Sequence, residues 1–320
     1  MTVILEHLLC DLSSTRNYVR KRALSLMAEY LRTRYSPKFA QENFATILYG
    51  CLSSCKRGDS HEIGLGSRTL GLLAITIGYS YHAEELVRET FSILSDALKK
   101  VSTDIAAQKS VLLCLAICSF SCANFSERES SMKLIWQVVL SKPNPEVLAA
   151  AIESWAFLLT CAIDVGHRRN SWTRVPMLYL MLLSGGDDHT IVSAAADDAV
   201  ALVMESELEG RGRGRGRIHE ILPVGEHKID LFSFSKVYQS GYIVDFLEHG
   251  ALAHLLENKF LHENFGFCPP DDDDDKDVDR AESIEEGLCA NWTCFEEIGS
   301  YKEGEEPADE PKTCSEKWFH

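Results

Sequence analysis

The sequence has no uninterrupted apolar run long enough to cross a bilayer. Its longest run, residues 111–118, is far shorter than the roughly 20 residues that a transmembrane helix needs. The first ten residues include Glu6 and His7 within an apolar stretch, with no preceding basic cluster, which predicts a helix rather than a signal peptide. We therefore expect a soluble protein that is neither secreted nor bound to a membrane.

Motifs that carry catalysis are also missing. The sequence contains no nucleophile elbow, phosphate-binding loop, zinc-protease helix or pair of carboxylates at catalytic spacing. Asp187 and Asp188 come at a predicted helix start, where capping accounts for them. The 11 histidines are scattered singly. These absences predict a non-enzymatic protein with no cofactor and no small-molecule substrate.

A basic excess, typical of nucleic-acid-binding domains, is missing as well. The formal net charge is −16, but residues 271–320 alone hold 18 acidic and 5 basic side chains, so the rest of the chain is close to neutral. This balance argues against a body that is one broad nucleic-acid surface. Residues 268–320 have too few apolar side chains to offset the entropy of ordering, which predicts a disordered acidic tail.

Cysteine is plentiful, with 11 residues, but the pattern does not indicate disulfides. Several cysteines lie within apolar helical patterns, where a free thiol behaves as a small hydrophobic side chain. A reducing compartment, the nucleus or the cytoplasm or both, fits best. Cys114, Cys118 and Cys122 share one helical face, and core packing is favoured there over a metal site because no further ligands complete the set.

A repeat with a period near 40 residues organises the first 208 residues. Segments rich in small and apolar residues recur at spacings of 46, 43, 41 and 43 residues, the range of HEAT and armadillo units. Amphipathic stretches alternate with them, as a two-layer solenoid requires. The small and apolar segments begin near Thr15, His61, Asp104, Pro145 and Asp188, and the amphipathic ones near Val3, Pro37, Ala83, Glu127 and Ser171. The pattern predicts an all-α armadillo/HEAT-like superhelix of five helical hairpins over residues 1–208.

The composition changes after residue 208. An Arg-Gly run with nothing to bury occupies residues 210–217, so residues 209–230 are predicted to be a linker. Residues 231–267 are apolar and rich in aromatic side chains, which predicts one or two short helices.

Four segments resemble the interferon-related developmental regulator family. They are residues 64–78 (GLGSRTLGLLAITIG), 132–139 (MKLIWQVV), 154–160 (SWAFLLT), and Gly250 with His254 and residues 257–265 (ENKFLHENF). The resemblance covers about residues 15–205 and 234–265. It implies an armadillo-like helical fold and a non-catalytic regulatory role, usually transcriptional co-regulation through histone-deacetylase corepressor complexes. Members of the family have also been linked to translationally inactive ribosomes.

Two groups of cations are candidate partner sites. The first repeat carries a basic patch that suits either an acidic partner or a solvated outer face. The Arg-Gly run suits either RNA contact or, as the favoured reading, a solvated linker. The patch consists of Arg16, Arg20, Lys21, Arg22, Arg32, Arg34 and Lys38, and the run supplies Arg211, Arg213, Arg215 and Arg217. The favoured function is thus a scaffold for transcriptional co-regulation, and the alternative is a translational regulator associated with ribosomes or RNA.

Overall fold

The computed structural model describes residues 2–164, 174–185, 190–210 and 218–267. These parts of the chain are mostly helical. Each repeat has a first and a second helix. These pairs are α1 Thr2–Asp11 with α2 Asn17–Thr33, α4 Phe44–Arg57 with α5 Ser60–Ile77, α6 Ala83–Lys100 with α7 Ile105–Cys122, α8 Phe125–Leu140 with α9 Pro145–Asp164, and α10 Arg174–Ser184 with α11 Thr190–Gly210. A short helix, α3 Pro37–Glu42, precedes α4.

In the described parts of the chain, helices α1, α2 and α4–α11 stack as five pairs. In each pair the first helix packs on the second, and the second helices α2, α5, α7, α9 and α11 also pack side by side in a row. The predicted all-α solenoid is confirmed, and each second helix begins within two residues of its predicted start. Whether the pairs follow the armadillo or the HEAT pattern stays a prediction.

Local capping explains why the helix starts could be predicted from the sequence. Asp59 and Asp104 accept hydrogen bonds from the backbone N–H groups of Glu62 and Ala107, the third residues of α5 and α7. Asn124 and Glu127 form a reciprocal capping box at the start of α8. These side chains satisfy backbone donors that the first turn of a helix leaves unpaired.

The helix predicted to begin near Pro37 is divided in two. It starts at Pro37 but breaks at Asn43, whose side-chain amide donates to the carbonyl of Phe39 at 3.0 Å. Asparagine often makes such local bonds to the backbone in competition with the helical ladder. The break separates α3 from α4.

Helix α7 is the central element of the array. By length and composition it is apolar enough to cross a membrane, but 67% of it is buried within the protein, between α5 and α9. A core helix covered on most sides has this composition for that reason. Its polar Ser119 donates to Ser131 of α8 at 2.7 Å, so the hydroxyl is not left unpaired in the core.

Part of the predicted linker is a β-hairpin. Strands β1 Glu220–Val224 and β2 His227–Leu231 pair antiparallel, so the assignment of residues 209–230 to a linker is wrong for this part. The two-residue turn between the strands contains Gly225 at a φ of +58°, a conformation that glycine adopts without steric cost. Val224, Ile229 and Leu231 are buried, which gives the hairpin an apolar side.

Residues 231–267 contain three α-helices and a 3-10 turn, more than the one or two short helices predicted from the sequence, and they are not a separate domain. They form α12 Phe234–Leu247, a 3-10 turn Glu248–Gly250, α13 Ala251–Glu257 and α14 Lys259–Phe265. Residues 1–268 make one compact unit, so the division between residues 1–208 and 231–267 is corrected. The acidic tail, residues 268–320, lies outside the described residues, and its disorder stays a prediction.

Candidate protein-interaction surface

Three of the seven cations in the basic patch of the first repeat form ion pairs within the protein. Arg20 binds the carboxylate of Glu62 through two nitrogens, at 2.7 and 3.1 Å, and donates to the carbonyls of Ser14 and Thr15. The Glu62 side chain is 0% exposed, whereas Arg20 is 17% exposed. The hydrogen bond to Glu62 raises the pKa of Arg20. This residue therefore joins the first repeat to the second and is not available to a partner.

Two further cations of the patch are paired. Lys21 contacts Asp59 at 2.6 Å, and this hydrogen bond and the capping bond to Glu62 N–H lower the pKa of Asp59. Arg32 is buried and contacts Glu29 and Glu248, each at 3.1 Å. Burial lowers the pKa of Arg32, and the nearby charge of Arg68 adds to that effect. These pairings reduce the number of cations available to an acidic partner, and partner binding by the patch stays a prediction.

The remaining predicted cations fall into two groups. Arg16, Arg22 and Lys38 are exposed, and Arg34 is half-buried. Arg211, Arg213, Arg215 and Arg217 lie outside the described residues, so RNA contact by the Arg-Gly run stays a prediction. Among the described cations of the patch, Arg16, Arg22 and Lys38 are thus the most accessible to solvent.

The cysteines of α7 belong to the core. Cys114 and Cys118 are buried with their sulfur atoms 3.8 Å apart, and Cys122 is directed at the carbonyls of Ala74 and Gly78. Burial raises the pKa of Cys114 and Cys122 and, on α4, raises that of Cys55 to about 12. Within the described residues, no group of three His, Cys, Asp or Glu side chains is placed to hold a metal ion.

A larger feature is the row of second helices, which we call the second-helix face. Residues 231–267, the C-terminal segment, lie on this face and reach every helix of the row. Hydrogen bonds fix the start of the segment to α11 and α9, at one end of the row. The Glu205 carboxylate on α11 accepts from the N–H groups of Phe234 and Ser235 at 3.0 and 2.9 Å, and Gln239 donates to Thr160 on α9 at 3.0 Å.

Aromatic packing continues this contact toward the middle of the row. Tyr242 of α12 stacks on Phe157 of α9 with ring centroids 4.1 Å apart, and its hydroxyl is 2.9 Å from that of Ser154. Phe260 of α14 meets Phe120 of α7 edge-on at 5.2 Å. These contacts bury apolar surface of both partners, the main source of stability in such an interface.

Gly71 of α5 and Gly78, which caps the C-terminal end of α5, make room for the segment. A Cβ atom at Gly71 would lie 2.8 Å from the ring of Phe246, and one at Gly78 would lie 2.8 Å from Phe260. On the other side of the interface, a Cβ atom at Gly250 would collide with the carbonyl oxygen of Arg32. At Gly250 the two backbones approach so closely that only glycine fits, whereas at Gly71 and Gly78 the missing Cβ leaves room for the phenylalanine side chains.

A charged cluster holds the Glu248–Gly250 turn of the segment against α2 and α5. Glu248 forms ion pairs with both Arg32 and Arg68, and His249 lies 2.8 Å from Glu29. Partial burial raises the pKa of Glu248, but the hydrogen bond and charge of Arg68 and the charge of Arg32 outweigh it, so the net shift is downward. Glu248 therefore remains ionised and neutralises two neighbouring guanidinium groups.

Sequence reasoning missed most of this interface. Arg68 and Glu248 are 180 residues apart, and no local pattern links them. The family resemblance does contain a signal of this interface, because residues 64–78 and residues 250–265 both belong to the segments that resemble the family. In the structure these two segments touch: Asn258 donates to the carbonyl of Ile75 at 2.9 Å.

The buried His254 predicts a pH-dependent contact. Its Nε2 donates to the carbonyl of Leu31 at 2.9 Å, its ring lies against that of Tyr35, and burial lowers its pKa from the ordinary value of about 6.5. The released segment thus binds a proton more readily than the docked one. Docking should be strongest above about pH 6.5 and weaken as the pH falls through the lowered pKa of the docked histidine.

Hydrogen exchange of α13 and α14 measures this effect. We expect less protection at about pH 5.5 than at about pH 7.5 after correction for intrinsic exchange. His254→Gln keeps an N–H donor without a titrating ring, and its protection should change less over the same interval. An equal change in the two proteins would contradict the role of His254.

Comparison with known proteins agrees with the sequence resemblance. The sequence model of the interferon-related developmental regulator family matches residues 3–215, which cover the five helical pairs except for Thr2 at the start of α1. A search among curated proteins finds no match. The similarity of residues 250–265 to the family lies beyond the matched range and stays a prediction. Because the match spans well over half of the 320 residues, the chain belongs to the interferon-related developmental regulator family, which supports a non-enzymatic regulatory role.

Proposed function

We propose that this protein is a scaffold that binds other proteins and acts in the nucleus as a transcriptional co-regulator, with histone-deacetylase corepressor complexes among its partners. Family membership supports the regulatory part of this proposal. The observation that favours protein partners over RNA is the internal pairing of Arg20, Lys21 and Arg32. Cations held by carboxylates of the same chain are poorly placed to neutralise phosphates, on which RNA binding depends.

Affinity capture of the full chain from nuclear extract, with and without RNase, tests the proposal. We expect the captured proteins to survive RNase and moderate salt, because protein interfaces combine apolar contacts with hydrogen bonds. Histone-deacetylase activity in the captured fraction is the direct measurement. Capture that disappears with RNase would contradict the proposal.

Matched variants separate protein binding from RNA or ribosome binding. One changes the exposed cations Arg16, Arg22 and Lys38 together to Glu. The other replaces the Arg-Gly cations Arg211, Arg213, Arg215 and Arg217 with Ser. Neither variant touches the paired Arg20 or Arg32, so the fold should persist, and neither should reduce corepressor capture. Co-sedimentation with ribosomes that weakens steeply with salt and is lost in either variant would favour the translational alternative.

A further inference from the structure

The second-helix face between α2 and α5 has the chemistry of a peptide-binding groove. It presents the guanidinium groups of Arg32 and Arg68, two glycine-lined sockets, and the backbone carbonyls of Leu31 and Ile75. We propose that this groove binds a helical segment of a partner protein that carries a carboxylate between two aromatic anchors, and that the C-terminal segment occupies the groove in cis. This inference rests on the proposed scaffold function and specifies where a partner docks.

The charges of the groove call for an acidic ligand. Arg32 is buried and Arg68 is nearby, and Glu248 neutralises both. Without that carboxylate, Arg32 would keep Glu29, but Arg68 would lose its ion pair with Glu248 beside another guanidinium group at a partly desolvated site, which is unfavourable. Any segment that replaces the C-terminal segment must therefore bring an anionic group to the same position.

The shape of the groove calls for aromatic anchors. Phe246 fills the space above Gly71, and Phe260 fills the space beside Gly78, where the backbone has a φ of +52°. Both rings are buried, and they flank Glu248 along the sequence. An incoming segment of short helices with this order of side chains would reproduce the contacts of the cis occupant.

Several features indicate that the cis occupant can be released. Helices α13 and α14 have seven residues each, too few to be stable without the face on which they lie. Glu248 has a φ of +51°, a strained conformation for a residue other than glycine. Its side chain is also 45% exposed, so its ion pairs are open to water and salt. A partner segment competes with an occupant that is strained and held partly by accessible charges.

Release and rebinding are measured with a fluorescein-labelled synthetic peptide of residues 232–267, titrated with the full-length protein by fluorescence anisotropy. In the wild-type protein the tethered segment competes at a high effective concentration, so the peptide should bind weakly. Gly250→Val places a side chain against the Arg32 carbonyl and dislodges the tethered segment, whereas the groove side chains are unchanged. We expect the peptide to bind this variant at least about tenfold more tightly.

A groove variant is the matched control. Adding Gly71→Val to Gly250→Val fills the socket for Phe246 and should abolish the gain. Circular dichroism confirms that the repeats remain folded, and Phe246→Ala/Phe260→Ala replaces Gly250→Val if that variant unfolds. The groove proposal is contradicted if Gly250→Val does not tighten peptide binding, or if the tighter binding persists when Gly71→Val is added.

The identity of the occupant has its own measurement. Light scattering of the wild-type protein should show a monomer, because the tethered segment satisfies the groove within one chain. A dimer that depends on residues 231–267 would assign the groove to a second copy and overturn the partner proposal. The peptide titration contains no other protein, so a negative result would contradict the groove but not the corepressor capture. A failed corepressor capture would likewise contradict the proposed function but not the groove.

Discussion

Replacing Arg20 with Ala is expected to lower the free energy of unfolding by about 3 kcal/mol. The substitution leaves the Glu62 carboxylate, which is 0% exposed, without its cationic partner, and removing one member of a buried ion pair costs about 3–5 kcal/mol. The lower value applies because Arg20 itself is partly exposed. The carbonyls of Ser14 and Thr15 lose their donor as well. Urea denaturation followed by circular dichroism measures the difference.

Two variants make the measurement specific. Arg22 lies two residues away and is exposed, so Arg22→Ala should change the free energy of unfolding by less than about 0.5 kcal/mol. Arg20→Met with Glu62→Leu removes both charges and should regain most of the lost stability. Equal effects of Arg20→Ala and Arg22→Ala would mean that the ion pair has no structural role.

The two results also bear on how cations of a repeat protein are interpreted from sequence. Residues 19–23 resemble the V-R-x-x-A motif of a HEAT second helix, and the structure shows Arg20 bridging to the next repeat. Its partner is 42 residues away. Charge density along the chain identified the cations correctly, but it contains no information on which carboxylate faces each of them.

Helix starts were predictable because their causes are local. Asp104 caps α7 three residues before the N–H that it accepts from, and Pro145 begins α9 where its missing donor is not needed. The hairpin at residues 220–231 also had a local signal in the Gly225 turn. The neighbouring Arg-Gly run, which has a composition typical of linkers, obscured it.

The docking of the C-terminal segment was beyond the reach of sequence patterns. The aromatic residues of 231–267 predicted helices with a buried face, but not the surface that buries it. Gly71 and Gly78 have an evident purpose only when Phe246 and Phe260 are placed opposite them. This complementarity joins segments about 180 residues apart, so it depends on the tertiary structure. A local sequence pattern therefore does not show whether this face of the solenoid is free or covered.

Phe246→Ala tests this docking most directly and is expected to destabilise it by about 3 kcal/mol. The Phe246 side chain is 4% exposed, and truncating a buried phenylalanine costs about 3–5 kcal/mol through lost burial and the cavity that remains. Phe232, at the start of the same segment, is 60% exposed, so Phe232→Ala is the matched control and should have little effect. Hydrogen exchange should show lost protection over residues 234–265 in the first variant only, with the amides of α7 still protected. Loss of protection in α7 as well would mean that the segment and the repeats unfold as one unit and that the segment cannot be released separately.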